Sequence, residues 1–215
     1  QTDAIRRSLE AVYGDQVLVD FCMRYGNPST ESKVREMVDA GCDKILFFPL
    51  YPHYAGATWA TANDQFFRAL MKEKWQPSVR IVPPYFEDAA YIDALAGSVE
   101  RAYAAAEVKP DLLVCAYHGV PERYLREGDP YHCHCQKTAR LLVTELGLAP
   151  AQYAVTFQSR FGKAEWLQPY TVSVLAQLAK EEWSASSARQ RSAATNPRVA
   201  AEAVPTCMRQ AQMGR

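Results

Sequence analysis

The 215-residue sequence has no excess of charge of either sign, with 24 Lys+Arg against 24 Asp+Glu and a pI near 7.1. A nucleic-acid sheath or a polybasic membrane patch needs surplus positive charge to attract phosphates, so neither is expected. No run approaches the roughly 20 apolar residues of a membrane span, so no transmembrane segment is expected. The stretch after Gln1 lacks the charged, apolar and cleavable series of a signal peptide. Cysteine is scarce: six are too few for a disulfide scaffold, and Cys22 and Cys115 lie in apolar runs. Those absences point to a reduced, cytoplasmic protein with mostly buried thiols. What remains, 48% hydrophobic and 22% charged, is an ordinary globular composition.

The shortages are uneven. Residues 184–215 contain no Leu, Ile, Phe, Tyr or Trp, and set five arginines against Glu202. That segment carries +4, leaving −4 for residues 1–183. With little to bury it cannot offset its ordering entropy, so a disordered or weakly helical tail is expected.

Before it, apolar spacing predicts helices over 3–13, 29–40, 58–74, 88–106 and 131–146, and another after Tyr170. Five strands are predicted, at 17–22, 44–50, 79–82, 111–117 and 153–157. The run Lys44–Leu50 (KILFFPL) is apolar enough to be buried on both faces of a sheet. Strands alternating with helices imply βαβ units and parallel sheets. Pro83-Pro84 suggests a division into domains over residues 1–86 and 87–183, followed by the tail. In such sheets ligands collect beyond the C-terminal strand ends, which directs attention to the residues after Leu50, Tyr117 and Phe157.

Each exit carries chemistry-bearing residues. Pro49-Leu50-Tyr51-Pro52-His53-Tyr54 is stiffened by two prolines, and its aromatics either wall a flat apolar ligand or fold back onto the core. Cys115-Ala116-Tyr117-His118-Gly119 ends a strand in a histidine, the side-chain type that exchanges protons near neutral pH. Gln158-Ser159-Arg160 offers donors suited to a carboxylate, and Trp166 follows as core or pocket wall. Asp129 and Pro130 fit a helix N-cap and first turn rather than a metal site. In His132-Cys133-His134-Cys135, residues two apart on a helix face nearly opposite ways, so Cys133 and Cys135 share an ion only on an irregular turn.

Taken together, FFPLYPHYAGAT (47–58), AYHGVPERYLREGDPYHCHCQKTARLL (116–142), TFQSRFGKAEWLQPYT (156–171) and CMRYGNP (22–28) resemble ferrochelatases, closest in shape to the proteobacterial ones. The resemblance covers roughly residues 1–182 and implies two incomplete Rossmann-like, chelatase-type α/β domains with parallel sheets. It implies insertion of ferrous iron into protoporphyrin IX, with His118 as proton acceptor and iron contact. Met23, Arg24, Tyr25, Tyr54, Gln158, Ser159, Arg160 and Trp166 fall in segments expected to line the porphyrin site. Iron is then a substrate and no cofactor is required, although some members carry a [2Fe–2S] cluster, for which Cys133 and Cys135 are the candidates. Peripheral membrane contact is compatible with it.

The family pattern also has a strand before residue 1 and, after Trp183, a CPGF-like turn and an acidic helix whose carboxylate faces the histidine. The sequence departs from that pattern at Trp183, so a reading frame truncated at both ends is the expectation. A chelatase for another tetrapyrrole, cobalt or sirohydrochlorin type, and a non-catalytic porphyrin-binding fragment are the rival readings.

Overall fold

The computed structural model describes residues 1–107, 110–189 and 199–200, which form two compact units. The first comprises residues 1–51 and 56–84; the second takes in 52–55 and the chain from Tyr85 onward. The short segment 52–55, expected in the first domain, thus belongs to the second.

In the first unit the order is α1 (Thr2–Tyr13), α2 (Thr30–Asp39), β1 (Lys44–Phe47), α3 (Thr61–Leu70) and β2 (Ser78–Ile81). Ser29 caps α2, its Oγ accepting the Ser32 N–H at 3.1 Å, and Gly41, at φ 84, supplies the left-handed residue that closes the helix. β1 and β2 pair in parallel, Lys44 against Ser78 through Phe47 against Ile81. Their core is Val34, Ile45, Phe66, Ala69 and Leu70, with Phe47 stacked on Phe66 at 4.3 Å.

Two expectations fail in this unit. Residues 17–22 form no strand: no neighbouring strand among the described residues pairs with them, and the carbonyl of Val19 is taken by the Arg6 guanidinium at 2.9 Å instead. Nor is the KILFFPL run buried on both faces. Only Ile45 of β1 is buried, while Leu46 is 66% and Phe48 40% exposed, because helices cover one side of this two-stranded sheet.

The second unit contains α4 (Ala89–Ala105), β3 (Leu112–His118), α5 (Glu122–Arg126), α6 (Tyr131–Glu145), β4 (Tyr153–Gln158), α7 (Thr171–Arg189) and β5 (Val199–Ala200). The sheet order is β4-β3-β5, all parallel, so β3 is central and its residues 113–117 are all buried. Asp88 caps α4 by accepting the N–H groups of Ala90 and Tyr91. α4 and α6 pack together over a core that includes Leu95, Val99, Leu113, Cys135, Ala139, Leu142 and Phe157. Side chains of this size contribute roughly 1.5–3 kcal/mol each on full burial. α5 escaped the sequence reading because a single helical turn has too few positions to show a period. Of the tail, residues 184–189 continue α7 and 199–200 make the short β5; the remaining tail positions, where disorder or weak helix was expected, lie outside the described residues.

Candidate active site

The parallel register of β3 and β4 sets His118 directly against Gln158, so both strands end at the same level. The Gly119 N–H donates to the Gln158 carbonyl at 2.8 Å, extending the pairing one residue beyond the strand. The chain from 119 to 122 then pairs with 165–167: Leu167 N–H donates to Val120 O at 3.0 Å and Glu122 N–H to Glu165 O at 2.9 Å. This brings Trp166 alongside His118, their rings 6.3 Å apart. Glycine at 119 suits this closeness. A β-carbon there lies 3.1 Å from both the Gln158 carbonyl oxygen and Cε3 of Trp166. Gly119→Ala is therefore expected to cost about 1–3 kcal/mol by overpacking. Urea unfolding of the variant checks it, and an unchanged midpoint would contradict the pinch.

His118 is half-buried, and its Nδ1 lies 2.7 Å from the Gly119 carbonyl oxygen. A carbonyl only accepts, so Nδ1 carries the proton, and in the neutral ring the lone pair sits on Nε2. Nε2 has no hydrogen-bond partner among the described residues. The strand end beneath is held from α6, where the buried Tyr131 hydroxyl donates to the His118 carbonyl at 2.9 Å. A ring with a fixed tautomer on an anchored backbone can accept a proton or ligate a metal through one defined atom.

Beyond β4 the chain turns sharply. Ser159 adopts φ 68, a left-handed conformation that costs a non-glycine residue energy and marks a constrained position. Arg160 emerges from this turn with its guanidinium 5.4 Å from the centre of the Tyr170 ring. Gln158 contributes through its backbone, whose carbonyl pins Gly119, and its side chain is half-buried. Two polar groups here are buried with no partner among the described residues: the Trp166 indole nitrogen and the Tyr117 hydroxyl. Burial, helped by the neighbouring Cys115, Cys135, Tyr91 and Tyr131, pushes the Tyr117 phenol far above its usual range.

The 52–55 segment meets this constellation through its histidine. His53, expected in an exposed loop, is buried with its ring 5.5 Å from that of Tyr117 and 6.0 Å from that of Tyr131. Its Nε2 lies 2.9 Å from Thr138 Oγ1, which itself donates to the Phe86 carbonyl at 2.6 Å. The threonine hydroxyl has spent its proton, so His53 must donate from Nε2. Burial, helped by His134, lowers its pKa from 6.5 to about 4. The aromatic-wall and core readings of this loop thus divide: His53 is core, whereas Tyr51 and Tyr54 remain half-exposed.

Met23, Arg24 and Tyr25 lie in the first unit, on a loop closed by Met23 N–H to Pro28 O at 2.8 Å and turned at Gly26, φ 86. The Arg24 guanidinium stacks 4.4 Å over Tyr25, while its buried Nε has no partner among the described residues.

The cysteine pair behaves as helical geometry dictates. On α6, Cys133 is exposed and Cys135 fully buried, with its thiol pushed well up by desolvation. A cluster ligand must be a thiolate. Two sulfurs of which one is exposed and the other fully buried do not fit a shared [2Fe–2S] cluster, and no three His, Cys, Asp or Glu side chains converge as a metal site among the described residues. Asp129 plays the expected capping role one residue displaced: α6 begins at Tyr131, whose N–H donates to the Asp129 carboxylate at 2.9 Å.

The ferrochelatase family model matches residues 1–186. The chain belongs to the ferrochelatase family. It is 60% identical to the ferrochelatase of Rhodobacter capsulatus over 181 residues, covering 84% of this chain and 52% of that protein. Against the ferrochelatase of Rhizobium meliloti it is 54% identical over 166 residues, 77% of this chain and 49% of the relative. The ferrochelatase of Agrobacterium fabrum gives 53% over 165 residues, 77% and 48%. The chain thus spans about half the length of the curated relatives it matches. Its two small parallel sheets flanked by helices agree with the chelatase-type α/β fold of that family.

Sequence reasoning missed Tyr131 and His134 as contributors to this arrangement. Local spacing shows Tyr131 only as a helix start and His134 only as part of a His-Cys-His-Cys run, because their partners, His118 O and Tyr54 N–H, are distant in sequence.

Proposed function

We propose that this chain acts as a ferrochelatase on protoporphyrin IX and ferrous iron, with His118 as proton acceptor and iron contact. The carrying observation is His118, with Nδ1–H tied to its neighbour's carbonyl and the Nε2 lone pair without a partner among the described residues, at a strand end beside Trp166. The chemistry demands such a group. A porphyrin keeps its nitrogen lone pairs in the ring plane and two of its nitrogens protonated; metal entry needs the ring bent, two protons removed and water stripped from the metal. The iron stays ferrous, and two protons leave for each iron inserted. His118 Nε2 accepts one such proton and passes it on. Aromatic side chains such as Trp166 and Tyr54 hold the macrocycle, so that binding energy offsets its distortion. Arg160 pairs with a propionate, and Gln158 and Ser159 complete the lining at this strand end.

The proposed setting is cytoplasmic, with membrane contact at most peripheral. No helix among the described residues is long and apolar enough to cross a membrane.

Anaerobic incubation with protoporphyrin IX and ferrous iron, with zinc as a surrogate, tests the reading. Metalloporphyrin formation above the protein-free rate is expected. Quenching of tryptophan fluorescence by porphyrin without turnover would instead make the chain a porphyrin-binding fragment.

A further inference from the structure

The segment that carries Tyr54 is tied to α6 by two histidines, and each bond has a defined direction. The backbone N–H of Tyr54 donates to Nδ1 of His134 at 3.1 Å. A backbone N–H can only donate, so the His134 ring is neutral and holds its proton on Nε2. That ring is also sandwiched flat on Phe86, with centroids 3.6 Å apart and planes within 10°. One residue earlier, His53 donates to Thr138 on the same helix, and Thr138 returns to the carbonyl of Phe86. Tyr85 N–H donates to the Pro52 carbonyl at 2.9 Å and closes the arrangement. His134 and Thr138, four residues apart, therefore lie on one face of α6 and grip consecutive residues, Tyr54 and His53.

We propose that His134 is a positioning residue that fixes the backbone of Tyr54, and through it the presentation of the Tyr54 ring to the tetrapyrrole. This rests on the porphyrin reading above and assigns His134 a role there in place of the metal-ligand role its sequence context suggests. The stack on Phe86 sets the ring plane, and the ring plane aims Nδ1 at the amide. Partial burial of the pair favours the neutral ring, in the same direction as the downward displacement of the His134 pKa by desolvation.

The test compares two substitutions in the whole chain. His134→Phe keeps a flat ring on Phe86 but has no acceptor, whereas His134→Asn can place Oδ1 near the position of Nδ1. Amide hydrogen exchange at Tyr54 is expected to accelerate about tenfold in His134→Phe and to return close to wild type in His134→Asn, the scale of one hydrogen bond. Porphyrin affinity, read by tryptophan quenching, is expected to weaken several-fold in the first and recover in the second. If His134→Phe does not fold, His134→Met supplies the non-accepting side chain. Unchanged exchange at Tyr54, or equal effects of the accepting and non-accepting variants, would overturn the assignment. Faster exchange with unaltered porphyrin affinity would overturn the positioning role while leaving the hydrogen bond. Failure of the wild-type chain to bind porphyrin would remove the functional reading, and with it the presentation role; the exchange data would still decide the backbone clamp.

Discussion

His118→Ala is expected to lower metal insertion by at least about 100-fold, the lower end of what a positioned acid–base group contributes. The loss arises because the Nε2 lone pair is free to take a proton: Nδ1 is committed to the Gly119 carbonyl, and the neighbouring Trp166 is a donor only. Porphyrin affinity should change little, since ring binding depends on the aromatic and arginine side chains. The defect therefore belongs in kcat rather than KM, the pattern of an interaction made in the transition state. Folding should survive, because Tyr131 holds the backbone carbonyl at 118 and not the imidazole. Steady-state zinc insertion together with urea unfolding checks both halves. Retention of most of the activity would remove His118 from the chemistry. Loss of stability equal to that in Gly119→Ala would show the ring to be structural instead.

The second large effect concerns acid stability and stands apart from catalysis. His53 is a base whose folded pKa, about 4, lies below its ordinary 6.5. At a pH above 6.5 it is neutral in both states and favours neither. Between 6.5 and 4 the unfolded chain takes up a proton that the folded chain refuses, so stability falls with pH. The slope is about 1.4 kcal/mol per pH unit, or about 3 kcal/mol across the window. Below pH 4 both forms are protonated and the loss levels off. His53→Gln, whose side-chain amide can still donate to Thr138, should remove this share of the slope while retaining most of the neutral-pH stability. His134, displaced in the same direction, accounts for part of what remains. Denaturant unfolding between pH 4 and 7.5 makes the comparison, and identical slopes in the two proteins would show that His53 does not govern acid sensitivity.

Both effects come from positions that a reader of the sequence can mark but not sort. His53 and His118 each follow a strand-like run and precede a loop, and both invite a functional reading. Their difference lies in what surrounds them: the rings of Phe86, Tyr91, Tyr117 and Tyr131 near one, a strand-end carbonyl and Trp166 near the other. None of the four rings around His53 lies within thirty positions of it in the chain. Local patterning reached the elements themselves well, because caps such as Ser29, Asp88 and Asp129 act within three residues. It failed at 17–22 and at Leu46, where an apolar run implies burial only if another element arrives to cover it.

From the sequence alone came the alternating α/β plan, the parallel sheet, the loops worth inspecting and, through four ordered segments, the family. These rest on spacing and on residue identity, which are properties of neighbours along the chain. Tertiary structure decided which nitrogen of His118 holds the lone pair, how tightly Gln158 and Trp166 crowd residue 119, that Cys133 and Cys135 part company, and that His134 grips Tyr54. Each of these depends on a hydrogen bond, a contact distance or a depth of burial, and those exist only once distant segments have been packed together.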